Sequence, residues 1–510
     1  MPRSKRRTVL HPIMAFIILI CTTIILSGIL KLFGLGANYN AINSIKGDID
    51  STTVSVTSLL NLSGLKLIFK STVSNFASFA PLSMLIILLI GIGIMDKSGF
   101  LQSFFTLLTK KSKKSTVTFV LAFITVFASL IGDISFLIFI PVIALFFKYS
   151  KRNPKAGIVM SFAGLTAANS INVFMNSIDS ALINYTKIAA VTVDNSYTIT
   201  NASHLFIMII LTIIASIVVA YITEKVVIPR MGRYEEEEEE EDFYLDRKKK
   251  RGLLFSLTIA TLYLLIFIYN IIPGLPLSGN LLDYSQNYYI DKLFGFNSFF
   301  NQGFVFVVTI LFFLCGFFYG IGAKTIKDNQ DVSSYLGHSL DDIGQTLVLI
   351  FFASTFISIF KETNIGSVIC ALLANFVASS GLSGVMLIII TFLISAIVTL
   401  FVPSAVTSWS ILSGVLVPVF MNSGMTPEFA ELVFKGGQSL TFGLTPLMAY
   451  FVIYLAFLDK YSEEDEKVSL ISSIKEIIPY SVLIGAIWIM LLIVIYVIGI
   501  PIGIKTAPTL

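Results

Sequence analysis

The chain has 510 residues, of which 55% are hydrophobic and 13% charged, with a formal net charge of +4 and a mean hydropathy of +0.86. Soluble domains carry roughly 25% charged residues, so this composition excludes a water-soluble protein and points to an integral membrane protein with the lipid bilayer as a partner and no nucleic acid. Three cysteines (Cys21, Cys315, Cys370) and three histidines (His11, His204, His338) are scattered along the sequence and form no disulfide or metal-ligand spacing.

Apolar stretches of about 20 residues recur along the chain, long enough to cross a hydrocarbon core of roughly 30 Å. They lack the alternation over about ten residues that marks a barrel strand, so the spans are helical. The opening MPRSKRR and the apolar run from Pro12 to Leu32 resemble a signal peptide. The run is too long for one, however, and no small-residue cleavage site stands out, so it is read as the first span.

Of the 35 Lys and Arg residues, 26 fall in six places: the N-terminus, 97–115, 148–155, 225–251, 324–327 and 460–475. The positive-inside rule makes these places cytoplasmic. The outer loops are then 35–75, 184–202, 274–300, 361–384 and 422–426, and Lys435 is left at membrane depth. The acidic run Glu235–Glu241 followed by Arg247–Arg251 reads as a solvated cytoplasmic linker.

Nine spans are expected, at 12–34, 82–96, 156–183, 203–225, 253–273, 302–321, 343–360, 427–457 and 478–500. Two apolar segments fail to cross. The run after Thr116 starts and ends beside basic clusters and breaks at Gly132-Asp133. A second run, from Val385 to Phe420, breaks at Val402-Pro403-Ser404. Each reads as a re-entrant hairpin (116–149 and 385–421).

Each hairpin is preceded by a span and a short amphipathic segment (99–109 and 366–377). Each is followed by a helix expected to dissolve into polar residues, at Thr166–Asn172 and at Lys435–Ser439. The fold expected is an all-α polytopic membrane protein with two inverted repeats and discontinuous helices meeting at the midplane. The first half is 1–225, the linker region 226–300 and the second half 301–510. The N-terminus is inside and the C-terminus outside the cell membrane. This is the sequence pattern of a secondary transporter, whose site lies where the breaks meet.

A charge at membrane depth is costly and faces either a partner or a water-filled cavity. Lys435 is therefore expected to meet a substrate carboxylate, or else to pair with Asp179 or Glu431. Asn169, Asn172 and Asn176 share a helical face at offsets 3 and 7 and would coordinate a cation or polar parts of a substrate. Asp133 at the first hairpin tip is a cation ligand or an N-cap. Ser404, Thr407 and Trp409 at the second tip would offer hydroxyls and an aromatic face to a substrate ring. Pro141 and Pro418 mark kinks. No HExxH, GxSxG or P-loop is present. The expectation is thus a transporter without an enzymatic activity or cofactor, driven by an ion gradient or by the substrate's own gradient, with an ion channel as the alternative class.

Several stretches, in their order and spacing, resemble the p-aminobenzoyl-glutamate transporter (AbgT) family. They include Asn75–Leu82, Asp133–Pro141, Pro154–Asn172 with Asp179, Glu224–Arg230, Ser380–Gly384 and Trp409–Pro446. The resemblance implies a homodimer of nine-span subunits with two hairpins. It also implies uptake of p-aminobenzoyl-glutamate or export of sulfonamide antimetabolites, coupled to Na+ or H+. It places family functional positions on Asp179, Trp409 and Pro446. The chain departs from the pattern at Lys435 (Arg in the family), Gln438 (Asp) and Val406 (Ser). Lysine keeps the charge but loses the bidentate fork, and Gln438 removes an acid from the site.

Overall fold

In the computed structural model, ten helices among the described residues are long and apolar enough to cross a membrane. The chain is a multi-pass membrane protein. The structure describes residues 10–510 except 44–46, 111, 172, 174–175, 201, 233–243, 287–288, 296–297, 342 and 463–467. The acidic run Glu235–Glu241 lies outside the described residues.

Seven of the ten helices cover expected spans. The other three are hairpin arms, Lys114–Ile131, Gly384–Phe401 and Ala405–Asn422. The two remaining expected spans are each divided by a break, into Pro154–Thr166 and Ser177–Val191, and into Pro427–Thr441 and Phe451–Lys460. The same order of elements therefore occurs twice. A long helix (Ala80–Lys97; Ile343–Glu362) leads through a left-handed residue, Gly99 or Asn364, into a short helix (Phe100–Thr109; Ile365–Ser379). A helical hairpin, a broken helix that begins on a proline (Pro154; Pro427) and a further long helix follow.

The segment 35–75, expected only as an outer loop, carries regular structure. Gly36–Asn43 pairs antiparallel with Asp48–Ser55, Gly36 lying opposite Ser55, and Leu62–Ala77 is a helix. The sequence ANYNAIN does not show the long apolar alternation that makes a strand legible. The ribbon leans on the second hairpin, whose Gly414 lies against the Asn40 carbonyl.

The second break is not where the glycines stand. Pro427–Thr441 runs unbroken through Lys435-Gly-Gly-Gln-Ser439 and gives way only to the 3-10 turn Phe442–Leu444 and the segment before Phe451. The reason is packing. A Cβ at Gly437 would sit 2.2 Å from the Phe392 carbonyl oxygen, and one at Gly436 would meet Trp488 and Phe392 at 3.0–3.2 Å. In lipid, small residues let helices approach closely, and these two admit the hairpin arm Gly384–Phe401. The helix stops instead ahead of Pro446, where Thr445 is extended (φ −114°, ψ 130°), the conformation a following proline imposes.

The first break begins after Thr166, so Asn169 and Asn176 do not share a helical face. Asn169 lies in a turn, Asn176 caps the next half-helix, and Asn172 is outside the described residues. The two breaks touch: a Cβ at Gly443 would fall 2.4 Å from Thr166 Oγ1. Stacked aromatics hold the halves together. Phe162 lies on Tyr454 at 4.2 Å and Phe136 on Tyr450 at 5.2 Å, contacts worth about 0.5–1.5 kcal/mol each beyond the area they bury.

Candidate functional site

The face of Pro427–Thr441 that carries Lys435 is polar throughout. Glu428, Glu431, Lys435 and Gln438 lie at offsets 0, 3, 7 and 10, which place them on one side of a helix, and all four are buried. Opposite them begins the second half of the first broken helix. Asn176 is its N-cap and Asp179 its third residue, and the two cap one another. Asn176 Oδ1 accepts the Asp179 N–H at 2.9 Å, and Asp179 Oδ2 accepts the Asn176 N–H at 3.2 Å. The helix end favours a carboxylate there.

Asp179 Oδ1 takes the Lys435 ammonium at 2.7 Å, with the lysine 3% and the aspartate 5% exposed. Of the partners open to Lys435 in the sequence, the structure selects Asp179. The ion pair bridges the two broken helices and is nearly sealed from solvent.

Around it, hydrogen bonds tie both hairpin tips to the breaks. Gln438 accepts from Ser170 Oγ at 3.1 Å and donates to the Pro403 carbonyl at 3.3 Å. Ser129, just before the first tip, donates to the Ile171 carbonyl at 3.1 Å and accepts on its own carbonyl from Asn176 Nδ2 at 3.4 Å. Thr445 Oγ1 reaches the Leu400 carbonyl at 2.7 Å.

Trp409 is fully buried. Its indole N–H donates to Thr186 Oγ1 at 2.9 Å and its ring stacks on Phe434 at 4.7 Å. Phe434 covers that face of the indole. Ser404 caps its helix by accepting from the Thr407 N–H at 3.3 Å, and Thr407 Oγ1 donates to Ser404 Oγ at 2.9 Å. Both residues are exposed at the second tip. Pro446 is half-buried within the second break.

Asp133 occupies the N-cap position of Ile134–Tyr149 but makes no cap hydrogen bond, which corrects the capping expectation. Its backbone is helical (φ −61°, ψ −26°) rather than extended, and the first N–H groups bond to the Gly132 and Asp133 carbonyls instead. The residue as a whole is exposed at the first tip.

The sequence reading offered Glu431 only as an alternative partner of Lys435 and Ser170 only as part of the polar break, and it did not place His204 and Thr186 in the site. Glu431 was legible, being one turn from Lys435, whereas His204 and Thr186 arrive from elements that only the fold brings close. Further along, Glu428 accepts from the Tyr197 hydroxyl at 2.8 Å. Burial, then the Glu428 carboxylate, hold that phenol well above its ordinary pKa.

Residues 6–510 match the family model described as "AbgT putative transporter family". The chain belongs to the AbgT transporter family. It is 27% identical over 493 residues to the p-aminobenzoyl-glutamate transport protein of Escherichia coli K12, an alignment covering 97% of this chain and 93% of that one. The YdaH transporter of Alcanivorax borkumensis is similar over 97% of this chain and 100% of its own, at 25% identity and a TM-score of 0.49. Neisseria gonorrhoeae MtrF, whose structure is described as illuminating a class of antimetabolite efflux pumps, is similar over 98% of both chains at 29% identity and a TM-score of 0.49. AbgT membership makes the chain a membrane transporter, in keeping with the missing enzyme signatures.

Proposed function

We propose that the chain is an ion-coupled secondary transporter of the cell membrane for a small anionic aromatic or amino-acid-derived carboxylate. p-Aminobenzoyl-glutamate is the first candidate. The observation that carries this reading is the sealed Lys435–Asp179 pair, set where two broken helices meet in a chain of the AbgT family. The name of the Escherichia coli relative supports the substrate class.

In this reading Asp179 stands in for the substrate. Its carboxylate occupies the lysine in the closed state, and an incoming carboxylate displaces it. Trp409, Ser404, Gln438 and Pro446 shape the surroundings. Asp133, Asn169, Asn176 and Thr407, with Asn172, are available to a coupling ion, Na+ or H+. The hairpins and broken helices move as a unit against a frame formed by a homodimer, with the two halves as inverted repeats, the N-terminus inside and the C-terminus outside.

The test is flux through purified protein in liposomes. Labelled p-aminobenzoyl-glutamate is offered with a sodium gradient, with a pH gradient and with neither. The expected result is saturable, gradient-dependent uptake that Lys435→Ala and Asp179→Ala abolish or strongly weaken. Non-saturating currents would replace the transporter with a channel. Movement only outward would assign the chain to efflux.

A further inference from the structure

Lys435 is one cation beside two buried acids. Asp179 takes it at 2.7 Å, and Glu431, one turn earlier on the same helix, is 1% exposed. Glu431 Oε2 lies 2.5 Å from Thr186 Oγ1, whereas Oε1 makes no hydrogen bond. His204, 7% exposed, presents Nδ1 to that oxygen at 3.9 Å.

Three separate counts ask for a proton here. His204 Nε2 is 2.8 Å from the Glu428 carbonyl. A carbonyl only accepts, so Nε2 carries the hydrogen and, in the neutral ring, Nδ1 is a bare lone pair. With an ionised Glu431, two acceptors would then face one another. At Thr186 the indole of Trp409 donates to Oγ1, and two acceptors remain for one hydroxyl proton, the Leu182 carbonyl at 2.9 Å and Glu431 Oε2. Finally, with Lys435 and Asp179 neutralising each other, an ionised Glu431 beside a neutral His204 would leave a net buried charge, which costs several kcal/mol.

The groups facing Glu431 are few. Its own helix brings Glu428 and Lys435, and Ser177–Val191 brings Asp179 and Thr186. His204 comes from the segment before Leu205, and Trp409 from the second hairpin. On the other sides of the helix, the arm Gly384–Phe401 packs Phe392 and Ser395 against Gly437, and Leu470–Ile498 packs Trp488 against Gly436 and Tyr496 against Phe429.

We propose that Glu431 and His204 together bind one exchangeable proton, and that this pair is the coupling site of the transporter. Its part in transport rests on the proposed function; the proton site stands on the geometry alone. A substrate anion at Lys435 adds negative charge to the same cluster and so tightens proton binding. By linkage the proton tightens anion binding equally, and the two travel in the same direction.

Two measurements on the full chain in liposomes test this. Infrared difference spectra on pH titration report a protonated carboxyl through its C=O band. That band is lost in Glu431→Gln and shifted in His204→Gln. Accumulation of labelled p-aminobenzoyl-glutamate driven by a pH gradient falls by at least about tenfold in Glu431→Gln, while exchange without a gradient stays within about twofold.

A carboxyl band unchanged in Glu431→Gln overturns the proposal, as does gradient-driven accumulation at the parent level. Loss of exchange together with accumulation overturns the coupling role and makes Glu431 a substrate contact. If the parent protein carries no p-aminobenzoyl-glutamate yet its band still disappears in Glu431→Gln, the substrate reading fails and the proton site stands. Should Glu431→Gln not fold, the shifted band expected in His204→Gln carries the test, and an unshifted band there overturns the proposal.

Discussion

Replacing Lys435 by methionine removes a buried cation and leaves its partner behind. Asp179 keeps the reciprocal cap with Asn176 but loses its counter-charge at a position only 5% exposed. Removing one member of a buried pair costs about 3–5 kcal/mol, whereas neutralising both members with groups of similar volume is close to neutral. Lys435→Met and Asp179→Asn should therefore each lower the thermal midpoint in detergent. The double variant should regain most of the loss, a coupling of about 3 kcal/mol between two residues in direct contact. Uptake in liposomes should follow a different course, because the double variant is stable but has no anchor for a carboxylate. Stability restored without uptake supports a lysine that both pairs and binds. A double variant with parental uptake would reduce Lys435 to a helix fastener, and additive stability losses would show that the pair does not matter energetically.

The other expectations concern the surrounding scaffold. Gly437→Ala places a Cβ 2.2 Å from backbone at Phe392, so it should cost at least about 1–3 kcal/mol. Gly436→Ala, which meets side chains at 3.0–3.2 Å, should cost less, and thermal midpoints compare the two. Trp409→Ala empties a fully buried site and removes a donor to Thr186, an expected loss of about 3–5 kcal/mol by the same measurement. Arg152 is 2.6 Å from Glu224 and lies over the Phe147 ring at 4.6 Å. Arg152→Met should lower stability by about 2 kcal/mol, with little dependence on salt because the pair is largely shielded. Gln438→Asp removes the donor to Pro403 and adds a buried acid; it should destabilise the protein, and sodium in the buffer should restore the loss if the added carboxylate completes a cation site.

The architecture was legible because lipid imposes strong rules. Length and apolarity marked the spans, basic clusters at both ends marked the first hairpin, and Gly132 and Pro403 marked the tips. The turn at Gly132 has φ +66°, which only glycine adopts without strain. The second break was misplaced by one to two turns because glycine serves two ends in a membrane. It loosens a helix, and it also lets another helix approach, and sequence alone does not say which. At Gly436 and Gly437 close approach prevailed, and Pro446 set the break.

The site was half legible. A lone lysine at membrane depth and an aspartate after an asparagine-rich break are visible as exceptions to composition. Glu428 and Glu431 obey the same helical spacing as Lys435 and Gln438, so the polar stripe could be read from the 3.6-residue period. His204 and Thr186 carry no such mark. They are ordinary residues of loops and half-helices until the fold brings them against the stripe.

The sealed pair has a consequence for how such a site can open. Lys435 belongs to one broken helix and Asp179 to the other, so any movement that parts the helices separates the charges. Parted and unaccompanied inside the protein, each ion would face a penalty of several kcal/mol. A carboxylate from the substrate satisfies Lys435, and a proton or cation satisfies Asp179, so opening becomes cheap only when both arrive. If the proposed ion coupling holds, a buried ion pair that looks like a structural fastener also keeps the empty carrier from slipping its gradient.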